Sequence, residues 1–150
     1  MVATALGTLL LIACLCLGYL AFRRVRLMRG GGVDLSLRRR PAGASAPRDG
    51  SAGWHSGVAR YHGDRLAWHR LTSLRPGVTV ALDRSELQIV ARRRPDGPES
   101  YVMPGASMVL LCRSHGMDVE LAMTPGVLTG FLAWLEAAPP GQSTGYRQAS

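Results

Sequence analysis

The first 22 residues contain no charged side chain, and four arginines follow at once: Arg23, Arg24, Arg26 and Arg29. A helix over Val2–Phe22 would cover roughly 30 Å, the thickness of the hydrocarbon core of a bilayer. Arginine that flanks a membrane span is retained on the cytoplasmic side. The pattern therefore predicts a single transmembrane helix over residues 1–22, in the plasma membrane, with the remainder of the chain in the cytoplasm.

Two alternatives to a membrane anchor are a cleaved signal peptide and a lipoprotein signal. A signal peptide carries basic residues before a shorter apolar core, whereas here the arginines come after the apolar run. The stretch Leu11–Cys14 resembles a lipobox, but the apolar run continues for eight residues beyond Cys14. An uncleaved anchor fits these flanks better than either alternative.

Positive charge is concentrated directly after the predicted span. Residues 23–40 hold seven arginines and one aspartate, a net charge of +6, while residues 41–150 carry a net charge of +2. Anionic lipids attract such a segment by about 1 kcal/mol per basic residue. We therefore predict membrane-surface contacts for Arg23, Arg24, Arg26, Arg29, Arg38, Arg39 and Arg40. Binding to nucleic acid, another common property of basic chains, is not expected of a chain tethered to a membrane.

Composition divides the chain after the anchor into three parts. Residues 23–53 are predicted to form a basic juxtamembrane segment and flexible linker, because Gly30–Gly32 opens this stretch and its second half is rich in Ala, Gly, Ser and Pro. Residues 54–138 are predicted to form one small domain. Residues 139–150, which begin with two prolines, are predicted to be a disordered tail.

Within the predicted domain, short strand patterns precede a single helix. The predicted strands cover Gly57–Tyr61, Leu66–Leu71, Val78–Leu82, Leu87–Arg92, Ser100–Met103, Met108–Cys112 and Met117–Met123. His62–Arg65 is predicted to be the turn of a first hairpin, because Gly63 can adopt a positive φ. Asp83–Glu86 is predicted to be the turn of a second.

The helix is the best-marked element of the domain. Thr124 suits the N-cap position, and Pro125 suits the first helical position. The apolar stripe consists of Leu128, Phe131, Leu132 and Leu135. Together these patterns predict a mainly β fold with one C-terminal helix, a pleckstrin-homology-like barrel of about seven strands, preceded by a single transmembrane helix.

Four stretches of the domain carry a more specific pattern: Gly53–Tyr61, Arg70–Arg75, Arg84–Arg93 and Leu128–Glu136. They resemble the actinobacterial domain-of-unknown-function family 2550, and the resemblance covers the anchor and nearly all of residues 53–137. Members of that family pair an N-terminal membrane span with this domain and are often encoded beside ATP synthase genes. The resemblance implies no activity.

Motifs for catalysis are absent from the sequence, including the nucleophile elbow, the phosphate loop, the dinucleotide fingerprint and the zinc-protease motif. His55, His62 and His69 recur every seven residues, but an odd spacing alternates faces on a strand. They also lack a supporting Cys or acidic cluster. We therefore expect no enzyme activity, no cofactor and no metal.

Arginine is the remaining candidate for a binding residue. Its guanidinium group suits phosphate because it donates two hydrogen bonds at once. The possible phosphate or partner contacts are Arg60, Arg70, Arg75, Arg92 and Arg93, although pairing with nearby acids would give them a purely structural role. The sequence thus predicts a single-span inner-membrane protein whose cytoplasmic domain is a protein-binding scaffold or accessory subunit, or alternatively a module that binds anionic lipid headgroups.

Overall fold

The computed structural model describes residues 1–41, 43–45 and 50–137. Its elements in chain order are helix α1 (Val2–Arg29), strands β1 (Val33–Pro41), β2 (His55–His62), β3 (Arg65–Arg70), β4 (Val80–Asp83), β5 (Gln88–Arg93), β6 (Met108–Ser114) and β7 (Met117–Met123), and helix α2 (Pro125–Glu136). Two 3₁₀ turns, Arg84–Glu86 and Gly97–Tyr101, flank β5. The predicted tail, residues 139–150, lies outside the described residues.

The seven strands form one antiparallel sheet in the order β4-β3-β2-β1-β7-β6-β5. Strands β1 to β4 form one meander and β5 to β7 another, and the pairing of β1 with β7 joins the two. The sheet curls into a half-barrel, and α2 packs its apolar stripe against the core. The predicted fold class is confirmed: a mainly β domain of seven strands with one C-terminal helix, preceded by one apolar helix.

Strand β1 corrects the prediction that residues 23–53 are a linker. Val33–Pro41 is the central strand of the sheet, with β2 on one side and β7 on the other. Leu35 and Leu37 are buried in the core. This strand was not predicted because it contains the three consecutive arginines Arg38–Arg40. A run of charged residues indicates a solvated segment unless residues elsewhere in the chain neutralise the charge.

Two further predictions about strands were wrong. Ser100–Met103 is not a strand: Ser100 and Tyr101 belong to the 3₁₀ turn Gly97–Tyr101, and the other two residues form a bend. Asp83–Glu86 does not close a hairpin, because β4 and β5 lie at opposite edges of the sheet. The first hairpin is as predicted, with Gly63 at φ 59° between β2 and β3.

The core lies between the sheet and α2. Phe131 is fully buried, and Leu128 and Leu135 are buried beside it. Trp68 on β3 is also buried, and its indole Nε1 donates a hydrogen bond to the carbonyl oxygen of Leu35 at 2.9 Å. Leu132, the fourth residue of the predicted stripe, is only half-buried.

Helix α1 lies largely outside this core. It extends seven residues beyond the predicted span, to Arg29, and its apolar residues remain exposed, with Leu9 71 % and Leu17 66 % exposed. By length and composition it can cross a membrane. An apolar surface of this kind is unfavourable in water, whereas a helix in lipid satisfies its own backbone hydrogen bonds.

Candidate functional site

Several of the arginines that the sequence marked as candidates lie in three separate places. The first is a largely buried set of ion pairs, the ion network, formed by Arg38, Arg93, Glu99 and Glu120, of which Arg93 alone is partly exposed. The second is a groove beside α2, the α2 groove. The third is a cleft where α1 meets the sheet, the junction cleft.

The ion network ties together β1, β5, β7 and the 3₁₀ turn after β5. Arg38 Nε lies 2.5 Å from Glu120 Oε2, and Arg38 Nη2 lies 3.2 Å from Glu99 Oε1. Arg93 bridges the same two carboxylates, with Nη1 2.5 Å from Glu99 Oε2 and Nη2 3.1 Å from Glu120 Oε1. Arg38 is only 2 % exposed. The prediction that Arg38 contacts the membrane surface is therefore wrong.

Further hydrogen bonds hold the ion network in place. Trp54 Nε1 donates to Glu99 Oε1 at 2.9 Å, and the guanidinium of Arg38 lies 4.7 Å from the centre of the Trp54 ring. Burial alone would raise the pKa of Glu99, but hydrogen bonds from Arg93, Trp54 and the backbone N–H of Asp96 outweigh it and hold the pKa below its usual value. The hydrogen bond to Glu99 raises the pKa of Arg93. These shifts favour the charged forms of Glu99 and Arg93, and the ion network links three strands and the 3₁₀ turn after β5.

The other predicted membrane-surface arginines differ in their surroundings. Arg40 is largely buried, with Nε 3.5 Å from Glu120 Oε2, while Arg39 is exposed. Arg24 pairs with Asp34 at 3.3 Å. Arg29 is exposed near the end of α1. Of the three arginines on β1, only Arg39 has a side chain free to reach a lipid surface.

The α2 groove has a volume of about 700 Å³ and runs between the end of β5 and the first turns of α2. Its apolar lining comes from Pro95, Pro104, Met108, Pro125, Leu128 and Leu132. Arg92 and Arg94 lie at its rim, and none of the described residues that line it is acidic. The groove therefore combines an apolar floor with positive charge. Such a lining suits a ligand that carries both apolar and acidic groups.

The junction cleft has a volume of about 330 Å³. Its lining residues are Tyr19, Phe22, Arg23, Arg26, Leu27, Arg60, His69, Pro76 and Gly77. Two of the predicted phosphate contacts lie close by: Arg70 Nε donates to Thr72 Oγ1 at 3.0 Å, and Arg75 is exposed on the β3–β4 loop. The predicted set of five arginines therefore does not form one site.

The histidines and cysteines of the described residues do not form a metal site. Among the described residues, no three His, Cys, Asp or Glu side chains cluster in a way that could bind a metal ion. His69 Nδ1 lies 2.8 Å from the carbonyl oxygen of Gly77. Burial, and then the charge of Arg70, lowers the pKa of His55. Burial raises the pKa of the Cys112 thiol to about 12, so this cysteine is a poor nucleophile at neutral pH.

Sequence reasoning missed the two buried acidic residues of β7, one of which, Glu120, belongs to the ion network. Glu120 and Asp118 alternate with apolar residues on β7, a pattern typical of a solvated face, yet both are buried. Hydrogen bonds from the Gly43 N–H and Arg113 lower the pKa of Asp118. The pairing becomes evident only once the strand register is known: Glu120 lies directly opposite Arg38 in the sheet, and opposite charges are favourable at such cross-strand positions.

Comparison with known proteins places the chain in a family without assigned activity. The family model described as protein of unknown function (DUF2550) matches residues 9–141. An uncharacterised protein of Mycobacterium tuberculosis is 37 % identical over 144 residues, covering 93 % of this chain and 94 % of its own length. An uncharacterised protein of Mycobacterium leprae shows the same identity and coverage. No solved structure matches. The chain therefore belongs to the DUF2550 family.

Proposed function

We propose that this protein is a membrane-anchored interaction module, without enzyme activity, whose α2 groove binds an extended segment of a partner protein. One observation carries the proposal: an apolar groove of about 700 Å³ lies beside the edge strand β5. Extended peptides commonly bind by pairing with a sheet edge while their side chains enter adjacent pockets. The module would then act as a scaffold or accessory subunit at the inner face of the membrane.

Strand β5 limits how such a segment would pair. In the described sheet it bonds only to β6, so its outer backbone groups are available. An irregularity between Ile89 and Ala91 interrupts the register, which leaves Ala91–Arg93 as the regular stretch. Bulges of this kind restrict edge pairing. A partner would therefore gain few backbone hydrogen bonds, and the groove would supply most of the contact.

The charge of the groove determines the chemistry of the proposed partner. Arg92 and Arg94 lie at its rim without an acidic residue in the described lining. Tyr101, 89 % exposed, is the chain neighbour of Ser100, which lines the groove, and exposed aromatic residues are frequent anchors in binding surfaces. These features favour an extended segment with apolar residues for the floor and acidic residues for the rim.

We expect peptides selected against the full chain in detergent micelles to combine apolar and acidic residues. The double variant R92E/R94E should weaken their binding at least about tenfold, because it replaces attraction at the rim with repulsion. The measurement is peptide affinity by fluorescence anisotropy. The matched control is R75E, which makes the same change of charge on the β3–β4 loop and should leave the affinity unchanged. Equal binding by R92E/R94E and the wild type would exclude the groove as the site.

We also propose that α1 spans the plasma membrane with the domain on the cytoplasmic side. The arginines after the apolar part of α1 support this orientation, since basic flanks remain inside. A fluorescent protein fused after Ser150 should fluoresce, and alkaline phosphatase at the same position should be inactive. A fusion directly after Arg40 would interrupt β1, so the reporter belongs at the end of the chain. Phosphatase activity would show the opposite orientation, and cleavage of the chain near Cys14 would contradict the membrane anchor.

A further inference from the structure

The connection between α1 and the sheet is short and closely packed. Only Gly30–Gly32 separates the end of α1 from the start of β1. Gly31 has φ 79°, and its N–H donates to the carbonyl oxygen of Met28 at 3.1 Å. A side chain at position 30 would lie 2.6 Å from Arg60 Nη2. The sheet is therefore held directly against the last turns of α1, without a flexible linker.

The β3–β4 loop, residues 71–79, makes a second contact with α1. Arg23 Nη1 donates to the carbonyl oxygen of Arg70 at 3.2 Å and to that of Ser73. This places the loop beside the point where the apolar part of α1 ends. Leu74 and Val78 in the same loop are more than half exposed. The loop thus presents apolar side chains close to the level of Tyr19 and Phe22.

The junction cleft between this loop, α1 and β2 contains hydrogen-bond donors without acceptors. Arg23 Nη2 and Arg60 Nε are buried, and neither has a hydrogen-bond partner in the described part of the chain. Arg26 adds a third guanidinium group, and no carboxylate is among the described residues that line the cleft. A buried donor left unpaired is unfavourable. Two such donors beside the exposed guanidinium of Arg26 are what an oxyanion, above all a phosphate, would satisfy.

The position of the cleft along α1, relative to the membrane, indicates which molecule would supply this phosphate. If Val2–Phe22 crosses the hydrocarbon core, the headgroup layer begins at Arg23. That layer is roughly 5–8 Å deep, or about three to five helical residues. Arg23 and Arg26 fall within this interval. The cleft also has apolar walls from Tyr19, Phe22 and Leu27, which suit the glycerol and upper acyl region of a lipid better than a free ion.

We propose that the junction cleft binds the phosphate group of an anionic phospholipid, with Arg23, Arg26 and Arg60 as its ligands. The bound lipid would fasten the domain to the membrane surface and fix its orientation. The proposal rests on the membrane-anchor part of the proposed function and is independent of the α2 groove. It differs from general attraction to the arginines after α1, which is screened by salt and indifferent to the headgroup.

The experiment measures lipid retained by the full chain, purified in detergent from membranes containing phosphatidylglycerol and phosphatidylcholine, by native mass spectrometry. We expect phosphatidylglycerol to be retained selectively at high salt. The R60Q variant should reduce this retention about tenfold, the loss expected for one charge-assisted hydrogen bond. R26Q should also reduce it, and because Arg26 is exposed its replacement does not endanger the fold. The matched control is R65Q, at the exposed start of β3, which should retain lipid as the wild type does.

Three outcomes would overturn the proposal. Retention by R60Q and R26Q equal to that of the wild type would exclude the cleft. An equal loss in R65Q would indicate attraction to net charge alone. Displacement of the lipid by added inorganic phosphate would indicate that the ligand of the cleft is a soluble anion. Peptide binding in the same samples reports separately on the α2 groove, and recovery of the protein without detergent would instead refute the membrane anchor.

Discussion

Replacing Phe131 with alanine is expected to destabilise the domain by about 3–5 kcal/mol. The side chain is fully buried between α2 and the sheet, where it joins a core that includes Trp68 and Leu35. Removal of the ring leaves a cavity that rigid strands fill poorly. Since the net stability of small domains is about 5–15 kcal/mol, the variant should unfold at a much lower temperature than the wild type.

The measurement is the tryptophan fluorescence of the full chain during urea or thermal unfolding in detergent micelles. All three tryptophans lie in the domain and none in α1, so the signal follows the domain alone. The matched control is L132A on the same helix, which should be destabilised by roughly 1 kcal/mol because Leu132 is half-buried at the groove. If F131A unfolds like the wild type, α2 is a mobile element and does not form part of the core.

Helix α2 was predictable from the sequence because its determinants are local. Thr124 and Pro125 mark its beginning, and the apolar spacing on one face identifies the side that meets the sheet. Most strands were predictable for the same reason, since each shows apolar residues bounded by turn signals. The exception is Ser100–Met103, where apolar residues near a proline resembled a strand but instead form the end of a capped 3₁₀ turn and the bend after it.

Strand β1 was not predictable because its determinants are remote. The buried charge of Arg38 is neutralised by Glu99 and Glu120, which lie 61 and 82 positions away along the chain. A single sequence gives no signal for such pairing. One practical consequence concerns truncation: a fragment that begins at residue 53 lacks the central strand, so a folded domain must include Val33.

The candidate site was predictable only at the level of residue type. The sequence singled out arginine as the candidate binding residue, but it could not separate Arg93, which pairs with two glutamates, from Arg92, which lines the α2 groove. That distinction depends on neighbours that the curl of the sheet brings together. The junction cleft likewise depends on the short connection Gly30–Gly32 after α1, which was predicted from the sequence to be the start of a linker.

Glu99→Gln is expected to destabilise the domain by about 3 kcal/mol at pH 7, near the lower end of the range for breaking a buried ion pair. The amide keeps the size of the side chain and one acceptor, but it removes the charge that Arg38 and Arg93 require. The matched control is Glu86→Gln, the same change at an exposed position in the other 3₁₀ turn. It should alter the free energy of unfolding by less than about 0.5 kcal/mol.

The difference in the free energy of unfolding between Glu99→Gln and the wild type should decrease as the pH is lowered. The pKa of Glu99 in the folded protein lies below its usual value of 4.5, so its stabilising contribution is fully present above pH 4.5 and is lost as the pH falls through the lower folded pKa. Once protonated, the wild-type side chain is neutral like glutamine. Urea unfolding at pH 7 and at successive values below 4.5 should therefore show the stabilities of the two proteins converging. A difference that stays constant down to complete acid unfolding would mean that Glu99 acts through its shape and its hydrogen bond with Trp54, without a contribution from its charge.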